Sequence, residues 1–118
     1  MRNTELDFSL PALRYAVEMC QEYPMYSVGV VVDPSRSLAL AKKKSCQKLM
    51  ANYVDAVKLE KFSDREGNFG ITFKNGSSIC YITPESTARH YRFHLMIFEP
   101  TIGKKERSTA IRKWLNGR

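Results

Sequence analysis

The sequence predicts an α/β protein: a small sheet with a central buried strand pair, a β-hairpin and about three flanking helices. Three observations carry that expectation. Two short runs, "YSVGVVVD" and "FHLMIFE", place apolar residues on both faces, as strands covered on both sides require. Asn75-Gly76 stands between two alternating segments in "FGITFKNGSSICYIT", which is the residue pair preferred in a two-residue hairpin turn. Three further stretches repeat their apolar residues at helical spacing.

Taken in order, Ser9 and Pro11 open the first helix, because a serine side chain accepts from orphan amides and proline fits the first turn. Leu13, Ala16, Val17 and Cys20 continue it until Tyr23-Pro24. The first buried strand then leads through Asp33-Pro34-Ser35 into a long helix from about Ser35, on which Leu38, Ala41, Cys46, Leu49, Met50, Tyr53, Val54 and Val57 approximate one stripe. The hairpin, taken with a two-residue turn, pairs Phe73 with Ser78, Ile71 with Cys80 and Phe69 with Ile82 on a buried face. A polar loop follows Pro84. After the second buried strand, a helix from about Lys105 to Asn116 turns Ala110, Ile111, Trp114 and Leu115 inward, and Gly117 ends it.

The 118 residues suit one domain, 1–118, with one core. With 43% hydrophobic and 26% charged residues the chain is expected to fold. A formal net charge of +7 favours a polyanionic partner, either nucleic acid or an acidic protein surface. Cys20, Cys46 and Cys80 are odd in number and in no paired motif, so they are expected to be reduced and the protein cytoplasmic. Neither a signal-peptide core nor a membrane-length apolar run is present in the sequence, so no membrane partner is expected.

From Val28 to Pro100 the chain resembles part of the ATPase domain of phage DNA-packaging terminases and related RecA-like P-loop proteins. The resemblance rests on "VGVVV" leading through a Pro/Ser turn into a helix, on the hairpin "ITFKNGSSI", and on an Arg-containing loop that enters an acidic strand. It implies a phage or prophage origin, hence host-cell cytoplasm, and it places Glu99 where the family has its metal-binding aspartate. Pro100 falls at the catalytic glutamate, and proline can neither orient nor deprotonate an attacking water. A phosphate-binding loop needs glycines, a lysine and a hydroxyl before the first helix, where this chain reads "NTELDFSLPALRYAV". "FEPTIGKKERST" fails the same pattern. The resemblance therefore implies a truncated, degenerate ATPase core with no cofactor and no catalytic residues. Its phosphate-loop strand is expected to be missing, leaving an open sheet edge through which a homodimer could form.

The basic residues form three groups: Arg36, Lys42, Lys43, Lys44 and Lys48; Arg89 and Arg92; and Lys104, Lys105, Arg107, Arg112, Lys113 and Arg118. Such groups bind phosphate backbones through charge neutralisation and counterion release, and Tyr91 between the two arginines is placed either to stack on a base or to pack against the protein. The expected function is thus non-catalytic nucleic-acid binding. The competing expectation is a host-takeover or anti-defence inhibitor that blocks an acidic host protein. A mixed metal site of His90 and His94 with Cys80 or Glu99 is the weaker alternative, because four-residue spacing in a loop and strand does not put both histidines on one helical face. Cys20 and Cys46 read as helix core and Cys80 as an inward strand residue.

Overall fold

Residues 4–33, 38–65, 68–83 and 92–115 are described in a computed structural model. In chain order the elements are β1 (Thr4–Asp7), α1 (Leu10–Glu22), β2 (Ser27–Val31), α2 (Leu38–Asn52), β3 (Leu59–Arg65), β4 (Asn68–Phe73), β5 (Ser78–Ile82), β6 (Leu95–Phe98) and α3 (Lys104–Trp114). They build one six-stranded sheet in the order β1-β6-β2-β5-β4-β3. The pairs β1/β6, β6/β2 and β2/β5 are parallel, whereas β5/β4 and β4/β3 are antiparallel. The expected central pair is β2 and β6, in register from Val28↔Leu95 to Val31↔Phe98, and every residue of β6 is buried.

The sheet has two unlike faces. On one, Leu13, Ala16, Val17 and Cys20 of α1 and Leu49 of α2 pack against Val28, Val30, Ile71, Phe73, Leu95 and Ile97. On the other, Ala110 and Trp114 of α3 cover Val31, Ile82, Phe93, Met96 and Phe98. Alternation along β2 and β6 supplies both cores, which explains why these two strands read as continuous apolar runs. Gly29 faces α3, where the Phe93 ring lies so close that a Cβ would meet its Cδ2 and Cε2 at 2.6 Å. Ser9 caps α1 as expected, its hydroxyl accepting from the Ala12 amide at 3.1 Å.

Four expectations need correction. A strand does lie beside β6, where a missing one was expected: β1 pairs Thr4↔Leu95 through Asp7↔Phe98. Four residues with only Leu6 apolar carry too little periodicity to reveal a strand, and pairing with β6 decides it. The edges are consequently β1 and β3. β3, unassigned by pattern, is the second unforeseen strand, charged at Glu60, Lys61, Asp64 and Arg65 as edge strands commonly are. α2 is shorter than its stripe, ending at Asn52.

The hairpin register moves by one residue. Gly76 N donates to Phe73 O at 3.0 Å and Phe73 N to Ser77 O at 2.8 Å, so Lys74, Asn75 and Gly76 form a three-residue loop, closed by Gly76 at φ +88. Ile71 therefore pairs with Ile79, and Gly70 with Cys80. A one-residue slip exchanges faces, so Ile79 and Tyr81 join Ile71 and Phe73, while Ile82 packs under α3 with Cys80 beside it. The side chain of Phe69, the loop around Pro84 and the Pro34-Ser35 turn lie outside the described residues.

Candidate functional site: a pocket at the carboxyl ends of the strands

The four parallel strands end at one rim of the sheet, the place where open α/β sheets bind ligands. Glu99 follows β6 there. Its backbone N–H donates to Val31 O at 3.0 Å, and its carboxylate Oε1 accepts from Asp33 N at 2.6 Å. A carboxylate thus ends the buried strand by tying it to the end of β2.

Beside it a pocket of about 430 Å³ opens, lined by Phe8 from the β1–α1 connection, Leu10 and Leu13 from the start of α1, Val32 and Glu99 from the strand ends, Tyr81 from β5, and Lys44, Ser45, Lys48 and Leu49 from α2. Leu13, Val32 and Leu49 are buried and make its floor. Lys44 and Lys48, one helical turn apart, are exposed and have no ion-pair partner among the described residues. The Tyr81 and Ser45 hydroxyls bond each other at 2.7 Å across the wall.

The start of α1 is not shaped for phosphate. Only Phe8 and Ser9 separate β1 from α1. Pro11 has no amide hydrogen, the Ala12 amide is held by the Ser9 hydroxyl, and the Leu13 amide donates to Ser9 O at 3.0 Å. Little is left of the cluster of free amides on which anion binding at a helix N-terminus depends. Pro100 directly follows Glu99 in an exposed turn.

The basic residues separate. Lys44 and Lys48 border the pocket on the α1/α2 side, whereas Lys104 and Lys105 begin α3 on the opposite face of the sheet, all four exposed. Arg92 lies at the far rim, before β6, and its guanidinium donates to Lys113 O at 3.3 Å, bringing the second and third groups together. Arg107 is committed elsewhere: it pairs with Asp7 Oδ1 at 2.6 Å and sits 4.8 Å over the Phe98 ring. Arg36, Arg89, His90, Tyr91 and Arg118, and the side chains of Lys42, Lys43 and Cys46, lie outside the described residues. Sequence reasoning did not find the pocket. Spacing puts Lys44, Lys48 and neighbouring Leu49 on one side of α2, but Phe8, Val32 and Tyr81 come from three remote parts of the chain and join them only in the fold.

A shared metal for His94 and Glu99 is ruled out by geometry, since they flank β6 at opposite ends, roughly 16 Å apart at about 3.3 Å per residue. His94 has a structural role. Its Nδ1 accepts from Ser27 N at 3.2 Å, its backbone N–H donates to Ser27 O at 2.8 Å, and its ring stacks on Tyr26 with centroids 5.2 Å apart. Among the described residues no three His, Cys, Asp or Glu groups gather as metal ligands. Cys20 is buried between α1 and the sheet, with its thiol 3.8 Å from Tyr26 O and 3.7 Å from Ser78 O. Burial pushes that thiol up to about 12, so it is an inert core group and not a nucleophile. Cys80 is half-buried on the α3 side.

Fold and pocket together define an open, mixed α/β sheet protein with a ligand-sized cleft at its strand ends. No helix among the described residues is long and apolar enough to cross a membrane. No family model, curated protein or solved structure matches the chain.

Proposed function

We propose that the protein binds nucleic acid through the solvent face of α3 and the adjoining Arg92, on a terminase-like scaffold that neither binds nor hydrolyses ATP. The observation that carries the reading is the composition of that face. Lys104, Lys105, Arg112 and Lys113 are exposed, and the one acidic residue of the helix, Glu106, turns its carboxylate back to cap Gly103 N at 3.0 Å. Lys105 and Arg112, seven residues apart, share one side at a separation of about 10 Å, with Ser108 and Thr109 between them. Arg92 extends the positive surface at the C-terminal end. Cations on one exposed face neutralise successive phosphates with no desolvation of a buried charge. The two-residue β1–α1 connection, the occupied amides of α1 and Pro100 support the absence of ATPase chemistry.

Fluorescence anisotropy with duplex and single-stranded oligonucleotides across a salt series tests the reading. Affinity is expected to fall steeply with salt, and Lys105→Ala/Arg112→Ala/Lys113→Ala to flatten the log–log slope by up to about three, since each neutralised phosphate contributes roughly 0.9. Lys44→Ala/Lys48→Ala is expected to leave the slope nearly unchanged. No binding at low salt overturns the proposal. Calorimetric titration with ATP and magnesium is expected to give no measurable heat of binding.

A further inference from the structure

The strand-end pocket has a chemistry of its own, on the side of the sheet away from α3. Its volume of about 430 Å³ lies within the roughly 300–1,000 Å³ of small-molecule sites. The floor is apolar, made by Leu13, Val32 and Leu49, with the rings of Phe8 and Tyr81 along it. Among the described residues three charges border this surface: Lys44 and Lys48, without ion-pair partners among those residues, and Glu99, whose Oε1 is taken by Asp33 N. Their sum is +1 when all are ionised. A di- or triphosphate would leave charge uncompensated over an apolar floor, and a neutral apolar molecule would leave both ammonium groups unused.

We infer that this pocket binds a small organic monoanion with a compact or aromatic apolar body, its carboxylate held by Lys44 and Lys48 and a hydroxyl or N–H donor on the body turned to Glu99. The two lysines, at positions i and i+4 of one helix, reach the same head group from adjacent turns. Glu99 is already fixed through Asp33, so its other oxygen, which accepts no hydrogen bond from the described residues, is offered without further ordering. The hydroxyl pair of Tyr81 and Ser45 borders the polar end of the site.

The test uses the full chain and 3-(indol-3-yl)propanoate as probe, with indole-3-propanol as the same body without the anion, titrated by calorimetry. The acid is expected to bind saturably at one site, and the alcohol at least about tenfold more weakly, the difference one charge-assisted contact makes. Lys44→Ala/Lys48→Ala should reduce acid binding at least about tenfold while hardly affecting the alcohol. Both lysines are exposed, so the variant is expected to fold, and its thermal midpoint checks that it does. Leu49→Phe, which fills the floor, should weaken acid and alcohol alike. Equal affinity of acid and alcohol, failure to saturate at low-millimolar acid, or indifference of a folded double-lysine variant overturns the inference. Failure here is separable from failure of nucleic-acid binding, which is read from the α3 variant and an oligonucleotide.

Discussion

At the scale of single residues, Asn75 joins parts of the chain that are remote in sequence. Its side-chain amide donates to Cys20 O at 2.8 Å and Tyr23 O at 3.2 Å, and its oxygen accepts from Ser77 N at 3.0 Å. Ser77 completes the clasp by donating to Tyr23 O at 2.6 Å and accepting from Tyr26 N at 3.0 Å. The hairpin loop thereby satisfies carbonyls at the end of α1 that helix geometry leaves orphaned. Asn75→Ala is expected to cost about 2 kcal/mol or more, read from the urea midpoint, because partners are left unpaired. A second residue-level expectation concerns alkaline pH. Burial raises the Cys20 thiol to about 12, and burial, then Tyr15 and Cys20, raise the Tyr26 phenol to about 12. Both groups hold their proton more tightly in the folded chain, so their contribution is complete below about pH 9 and declines between about 9 and 12. For Cys20 alone the loss at pH 10.5 is about 2 kcal/mol, and Cys20→Ala should flatten stability against pH over that window.

At the scale of elements, the fit between β2 and the strand-end residue Phe93 depends on a missing side chain. Gly29→Ala is expected to destabilise by about 1–3 kcal/mol through overpacking, since a Cβ would sit 2.6 Å from the Phe93 ring. Phe93→Leu in that background should cost less than in the natural sequence, a non-additivity that a double-mutant cycle would read in thermal melts. The elements that sequence made legible share a cause. The strands β2 and β6 are buried on both faces, and α1 carries its own cap and stripe, so each is specified locally. β1 and β3 were illegible because edge strands bury little and take their state from the neighbour that they pair with. The hairpin was half legible. Asn75-Gly76 marks the turn, but whether the loop holds two or three residues depends on Asn75 being engaged by α1, which no local pattern records. The site failed in the same way: its lysines were visible as charge, its floor only as scattered apolar residues.

At the scale of the whole molecule, β6 is inserted between β1 and β2, and residues 4–7 pair with residues 95–98. Deleting residues 1–8 is expected to uncover one side of β6, a strand buried along its full length, and to produce a chain that unfolds non-cooperatively or associates, as analytical ultracentrifugation with a thermal melt would show. The natural chain faces the same exposure in time. At roughly 5–20 residues per second, the ribosome needs about 5 to 20 s to make the ninety or so residues between the two partners. Throughout that interval the strand that joins β1 to β2 does not yet exist, so the sheet cannot reach its native order. Closure of the sheet therefore waits for β6, and its strand order leaves strand edges transiently exposed during translation.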